Sequence, residues 1–254
     1  MRCPGSPGGG SDGVEWIYGR NVAELALRSG ARRRAHRAAV TAPALAKLRD
    51  VLPRSLPVET VDPARLDELT GSREHQGVAL QVDPYPYVSA DELLGADLLV
   101  VLDEVSDPRN LGAVARSALA AGAAGLVVPR HRSASVTPAA VKASAGALEH
   151  LRVAQVTNVV ALLKDAKRAQ SWVYGAAGEA GLSYLDLDLT GPVVLVFGAE
   201  GKGLRPLVAR TCDELAAIPV EAPVESLNVS VAAALFLFEA RRQRAAAGRP
   251  PGRR

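Results

Sequence analysis

Leu98-Leu-Val-Val-Leu102, then Asn110-Leu-Gly-Ala-Val-Ala-Arg116, then Gly125-Leu-Val-Val128 decide the fold. The first run is apolar at every position, the pattern of a strand buried on both faces. Leu111 to Ala121 reads as a helix and Gly125 to Val128 as a second strand, giving a β–α–β unit with parallel strands. The alternation continues downstream. Pro138 to Leu148 is predicted as a helix, Leu151 to Val156 as a strand and Val159 to Ala169 as a helix. Trp172 to Ala176, Val193 to Phe197 and Leu215 to Ile218 are three further strands, and the last helix runs from Leu227 to Arg244. That helix is apolar from Val229 to Phe238 except at Ser230, which predicts burial in a core or against a partner chain. Strands separated by helices argue an α/β domain with a mostly parallel sheet.

Upstream, a smaller α/β unit is expected over residues 14–82. Ile17-Tyr18, His36 to Val40, Val58 to Val61 and Gly77 to Val82 read as strands. Helices fall around Val22 to Ala26, from Ala44 to Val51 behind Pro43, and from Pro63 to Leu69. Asp83-Pro-Tyr-Pro-Tyr87 favours extended chain, so an interdomain linker is placed over 83–95 and the larger domain over 96–244. The Gly/Pro/Ser-rich segment 1–13 is expected to be a disordered leader, with no apolar stretch of a signal peptide, and 245–254 a disordered basic tail.

Composition narrows the function. A hydrophobic content of 48% supports a core, and with aromatics at 4% Ala, Val and Leu must fill it. No apolar run reaches the roughly 18 residues of a membrane span. Two cysteines cannot make a disulfide framework, so a reducing cytoplasm is the expected location. Cys212, with no base beside it, reads as a packing residue rather than a nucleophile. His36, His75, His131 and His150 lack metal-ligand spacing, which argues against a metal enzyme. Charge is uneven: eight Lys/Arg face one acid between Arg28 and Arg54, and six arginines follow Glu239. Such clusters attract phosphate backbones, although a solvated basic face has the same pattern.

The loop after Val193 to Phe197 invites comparison with phosphate-binding fingerprints and fails them. A P-loop needs Ser or Thr after Gly-Lys, and Gly203 follows Gly201-Lys202. A dinucleotide fingerprint starting at Gly201 requires a small residue at 206 and meets Pro206. What remains is a backbone open to close approach, with Glu200 held among glycines. Taken singly, Asn110 reads as a helix cap or turn, Ser226 and Asn228 as a cap for the last helix, and Arg116 as a snorkelling or carboxylate-paired arginine.

Three stretches together say more than each alone. Asp107-Pro-Arg-Asn110-Leu-Gly-Ala-Val-Ala-Arg116-Ser-Ala118, Leu195-Val-Phe-Gly-Ala-Glu200-Gly-Lys-Gly203-Leu, and Ile218-Pro219 with Ser226-Leu-Asn-Val-Ser-Val-Ala232 resemble the three motifs of the SPOUT class of RNA methyltransferases, in its SpoU/TrmH branch. Ile17-Tyr18-Gly19 and His75-Gln76-Gly77 resemble the first domain of bacterial 23S rRNA guanosine 2′-O-methyltransferases.

The resemblance implies a catalytic domain with a deep trefoil knot, preceded by a ribosomal-protein-like (L30e-like) RNA-binding domain. It implies S-adenosyl-L-methionine held by the backbone of three loops, at Gly198, Ile218 and Leu227, with Gly203 beside them. It implies a homodimer acting on RNA, a guanosine of 23S rRNA first, with a tRNA ribose or another rRNA site of antibiotic-resistance type as the alternative. A non-catalytic RNA-binding protein is the reading from a different class. The catalytic set it implies is Arg116, Asn110, Glu200, Asn228 and Ser226. A guanidinium is too weak a base to take a proton readily, so Arg116 suits stabilising a developing alkoxide or anchoring a phosphate better than acting as a base.

Overall fold

A computed structural model describes residues 13–224 and 226–248; the expected leader through residue 12 and the tail from 249 lie outside the described residues. The chain divides into two compact units, meeting between Pro86 and Tyr87.

The first unit contains β1 (Glu15–Tyr18), α1 (Arg20–Ala26), β2 (Ala35–Val40), α2 (Ala42–Leu48), β3 (Val58–Thr60), α3 (Pro63–Thr70) and β4 (Val78–Val82). Its sheet has the order β1-β4-β2-β3, with β4 antiparallel to both neighbours and β2 parallel to β3. Pro63 sets the first turn of α3, where a missing N–H costs nothing, and Gly71 ends it in the left-handed region. Leu66 on α3 is fully buried against Tyr18, Ala39 and Ala79.

The second unit contains β5 (Leu98–Asp103), α4 (Pro108–Ala121), β6 (Gly125–Pro129), α5 (Pro138–Ala143), β7 (Val153–Val156), α6 (Val159–Arg168), β8 (Trp172–Ala176), β9 (Leu182–Ser183), β10 (Val193–Gly198), α7 (Pro206–Thr211), β11 (Glu214–Ala217) and α8 (Val229–Ala246). The sheet order is β7-β6-β5-β10-β8-β11-β9, and every pairing is parallel. All six residues of β5 and all six of β10 are buried, as the apolar runs predicted. Their side chains alternate between two helical layers. Leu99, Val101, Val194 and Val196 join a core with Leu162 and Leu163 of α6 and Val208 of α7. On the opposite face Phe197 meets Phe236 of α8 edge-on, ring centroids 5.5 Å apart. α8 packs against α4, and α4 against α5. Chain order reverses about β5, whose sequence neighbours β6 and β7 lie on one side and β10 and β8 on the other. In open α/β sheets a ligand crevice forms outside the carboxyl ends of strands at such a point.

One reading is corrected and three gain detail. The helix predicted over Pro138 to Leu148 is two pieces: α5 ends at Ala143, and Ala145 and Gly146 turn left-handed (φ 51° and 90°) before a short 3-10 turn at Ala147–Glu149. The Ser144 hydroxyl covers the break, donating to the Val141 carbonyl at 2.8 Å and accepting from Leu148 N at 3.3 Å. Pro206, which spoils a dinucleotide fingerprint, instead begins α7. Within the expected linker 83–95, residues 83–87 form neither helix nor strand, and Tyr85 is buried in the first unit and Leu93 in the second. Finally, α8 is not covered all round: Val231, Leu235 and Phe238, spaced along one face, are 48%, 37% and 47% exposed. Among the described residues no helix is long and apolar enough to cross a membrane.

Candidate functional site

The carboxyl ends of β5, β10 and β11 deliver the three motif loops to one place. After β5 the Asp107 side chain caps α4 by accepting from Arg109 N at 2.8 Å, and Pro108 takes the first helical position. The exposed Asp107 carboxylate also takes the Arg109 guanidinium at 2.9 Å, which holds its pKa below the ordinary value. Asn110 is therefore inside the helix, not its cap, and is buried. Gly112, two residues on, permits close packing: a Cβ there would lie 2.4 Å from the Ala140 carbonyl oxygen.

After β10 the chain turns back on itself. Ala199 and Gly203 exchange backbone hydrogen bonds of 3.1 and 2.8 Å, and the loop passes so close to Gly198 that a Cβ there would lie 2.1 Å from the Gly203 carbonyl. No side chain fits at that position. The loop is also held from below. Asp103, fully buried at the end of β5, accepts from Arg205 N at 3.0 Å, from Nε at 2.8 Å and from Nη2 at 2.5 Å. Because Asp103 also pairs in strand register with Gly198, one residue of β5 holds both ends of the loop, the first through backbone pairing and the second through its carboxylate. Sequence reading missed this pair. Its signal was present, since a lone acid closes an otherwise apolar strand.

After β11 the chain passes Ile218 and reaches α8, which Asn228 caps by accepting from Ser230 N at 2.8 Å. The Asn228 amide nitrogen donates to Asn110 Oδ1 at 3.1 Å and to a carboxylate oxygen of Glu200. Three residues from three distant loops thus share one hydrogen-bonded cluster.

Beside the cluster opens a cavity of about 970 Å³. Gly198, Gly203, Ile218, Leu227, Ser226 and Glu200 all line it, with Phe197, Val229 and Phe236 as apolar floor and Glu179 as a second carboxylate. Asn110 and Asn228 reach it through Glu200 rather than by lining it. Arg116 does neither. It lies six residues beyond Asn110, about 9 Å along α4. It is exposed and makes no hydrogen bond or ion pair among the described residues. Cys212 sits at the end of α7 behind the site, its thiol 3.4 Å from the Val208 carbonyl; burial pushes its pKa up to about 11, which suits packing and not nucleophilic attack.

This cavity, built from backbone and apolar side chains with carboxylates at hand, fits a flat heterocycle joined to a cationic group. The sequence profile of the SpoU rRNA methylase family matches residues 97–238, and that of the RNA 2′-O ribose methyltransferase substrate-binding domain matches 16–88. The chain belongs to the SpoU methylase family. A tRNA/rRNA methyltransferase of Mycobacterium ulcerans is 43% identical over 246 residues, covering 93% of this chain and 79% of that one. The SpoU methyltransferase AviRb of Streptomyces viridochromogenes, solved with S-adenosylmethionine, superposes with a TM-score of 0.77 at 27% identity over 92% of this chain and 91% of its own. The S-adenosylmethionine-bound rRNA methyltransferase of Sinorhizobium meliloti gives 0.73 at 26% identity, over 91% and 87%. The SpoU family model accounts for the three loops and the substrate-binding model for the first unit, so the chain is an RNA methyltransferase with its own substrate-binding unit.

Proposed function

We propose that the protein methylates a ribose 2′-hydroxyl of RNA, with S-adenosylmethionine as donor and a guanosine of 23S rRNA in the cytoplasm as target. The convergence of the loops at Gly198, Ile218 and Leu227 on one cavity, with Asn110, Asn228 and Glu200 bonded at its edge, carries this reading. When bound, the cofactor supplies an electrophilic methyl on a cationic sulfur. Glu200 and Glu179 put negative charge near that cation, and the Asn228 amide fixes Glu200 in place. The apolar floor excludes water, which favours an in-line transfer in which positive charge is lost. The methyl would pass to the ribose oxygen as its bond to sulfur breaks, and the hydroxyl proton would leave to solvent. Arg116 stabilises the charge developing on that oxygen or grips the adjacent phosphate.

Arg116 lies outside the cavity, so something beyond a single chain completes the site. A homodimer covering Val231, Leu235 and Phe238 of α8 is the arrangement we propose. The insertion of β10 between β5 and β8, and of β11 beyond β8, suits a deep trefoil knot in the second unit. The four-stranded mixed sheet of the first unit suits an L30e-like RNA binder.

The test is methyl transfer from tritiated S-adenosylmethionine to deproteinised 23S rRNA and to tRNA from cells lacking the gene, followed by nucleoside analysis. Label as 2′-O-methylguanosine in 23S rRNA is the expected result. Label confined to tRNA overturns the substrate assignment. Absence of label despite calorimetric binding of S-adenosylhomocysteine overturns the choice of RNA, and absence of both overturns the activity.

A further inference from the structure

The first unit has a second cavity, of about 470 Å³, that belongs to none of the motif loops. Because β1, β2 and β3 run the same way and β4 opposes them, the starts of β1, β2 and β3 lie at one end of the sheet with the finish of β4. The α1–β2 and α2–β3 connections meet there. Between residues 27–34 and 49–57 they carry six arginines against one acid, Asp50. The β3–β4 connection, residues 61–77, carries four acids and two arginines. Positive charge is therefore gathered at one end of the unit.

Two of those arginines are committed within the fold. Arg33, buried, pairs with Glu15 at 3.0 Å, and Arg32 donates to the Pro86 carbonyl at 2.8 Å; both guanidinium groups lie over the Tyr85 ring. Arg28, Arg34 and Arg54 make no side-chain ion pair or hydrogen bond among the described residues, and Arg34 opens onto the cavity. Its other walls are Leu27, Pro53, Leu56 and Pro57, with His36 oriented by a 2.7 Å bond to Asp83. The volume falls within the range of about 300–1,000 Å³ typical of small-molecule sites.

Proline rings, leucine side chains, an imidazole and a guanidinium with no partner among the described residues suit a planar base with a phosphate attached. Sequence-selective RNA binding commonly takes up unstacked bases on aromatic rings or guanidinium planes, and of the lining residues His36 and Arg34 are of those two kinds. We infer that this cavity receives a single unstacked nucleotide of the RNA substrate, the base between Leu27, Leu56 and the prolines and the phosphates against Arg34, Arg28 and Arg54. The inference rests on the reading of the protein as an RNA methyltransferase.

Binding of fluorescein-labelled rRNA fragments to the full-length protein, followed by anisotropy across a salt series, tests it. Two variants separate the charge from the pocket. Arg34→Ala should weaken RNA binding about tenfold and lower the salt slope by about one. Ser55→Trp, at an exposed lining position, should weaken it about tenfold with the slope unchanged, because the indole occupies the base's place. S-adenosylhomocysteine affinity should stay constant in both, which also reports a folded second unit. Unchanged RNA affinity in both variants, with a loss in Arg20→Ala at the opposite end, overturns the inference and leaves the methyltransferase reading standing. Saturable binding of free guanosine monophosphate that Ser55→Trp abolishes, without effect on RNA, overturns it in favour of a free nucleotide. A wild-type protein that binds no RNA fragment brings down both.

Discussion

The loop from Gly198 to Arg205 and the face of α4 that carries Arg116 belong to the same unit and are held in different ways. The loop is pinned at both ends by Asp103, folded on itself by the Ala199–Gly203 bonds, and bonded across the site through Glu200 and Asn228. Arg116 is on a rigid helix, yet its guanidinium is in solvent with no partner among the described residues. Cofactor recognition needs a cavity ready in advance, because affinity is lost in ordering loose chain. On the proposed roles, a group acting on the ribose would be needed only once RNA is present, so it could wait outside. Binding and chemistry are thereby separable by mutation.

Arg116→Ala tests that separation most sharply. It should reduce methyl transfer by about 10²–10³, as removal of a charge-stabilising donor does, while S-adenosylhomocysteine affinity by calorimetry stays the same. A parallel fall in affinity would erase the contrast. Gly198→Val should do the reverse. The new side chain would meet the Gly203 carbonyl, and cofactor affinity should fall about a hundredfold as overpacking displaces the loop. Mixing these two inactive variants sharpens the comparison: recovery of activity in mixed dimers would assign guanidinium and cavity to different protomers, and none would assign them to the same one.

Asp103→Asn should have a middling effect. Losing the charge on a buried acceptor costs about 2 kcal/mol and lowers the melting temperature by several degrees, with cofactor affinity down about tenfold. An unaltered affinity at the lowered melting temperature would make the pair a structural tie only. Phe238→Arg should be mildest on the fold, since the position is 47% exposed, with stability within about 0.5 kcal/mol. Sedimentation should show monomers with cofactor affinity intact and methylation lost; a surviving dimer would move the interface off α8.

How much of this was legible beforehand varies by element. β5 and β10 were readable because strands buried on both faces must be apolar throughout; α4 was readable as a helix, but its start was set at Leu111 with Asn110 as cap, whereas Asp107 caps it and Pro108 begins it. Gly198, Ile218, Leu227, Ser226 and Glu200 were identifiable from their motifs and do line one cavity. Illegible were the break after Ala143, where helical periodicity continues through a left-handed turn, and α7, whose six residues are too short for a pattern. The Asp103–Arg205 pair was hidden by distance, 102 residues apart in sequence.

Apolar periodicity and turn chemistry determined that the chain folds as two α/β units, the larger around a parallel sheet, because local burial and backbone approach leave a direct mark on residue choice; the three motif strings added the likeness to RNA methyltransferases. Which loops touch, that a carboxylate ties the glycine loop, and that Arg116 stands outside the cavity were decided by tertiary structure alone. Those depend on where strands insert in the sheet, and no residue's own neighbours in sequence record that.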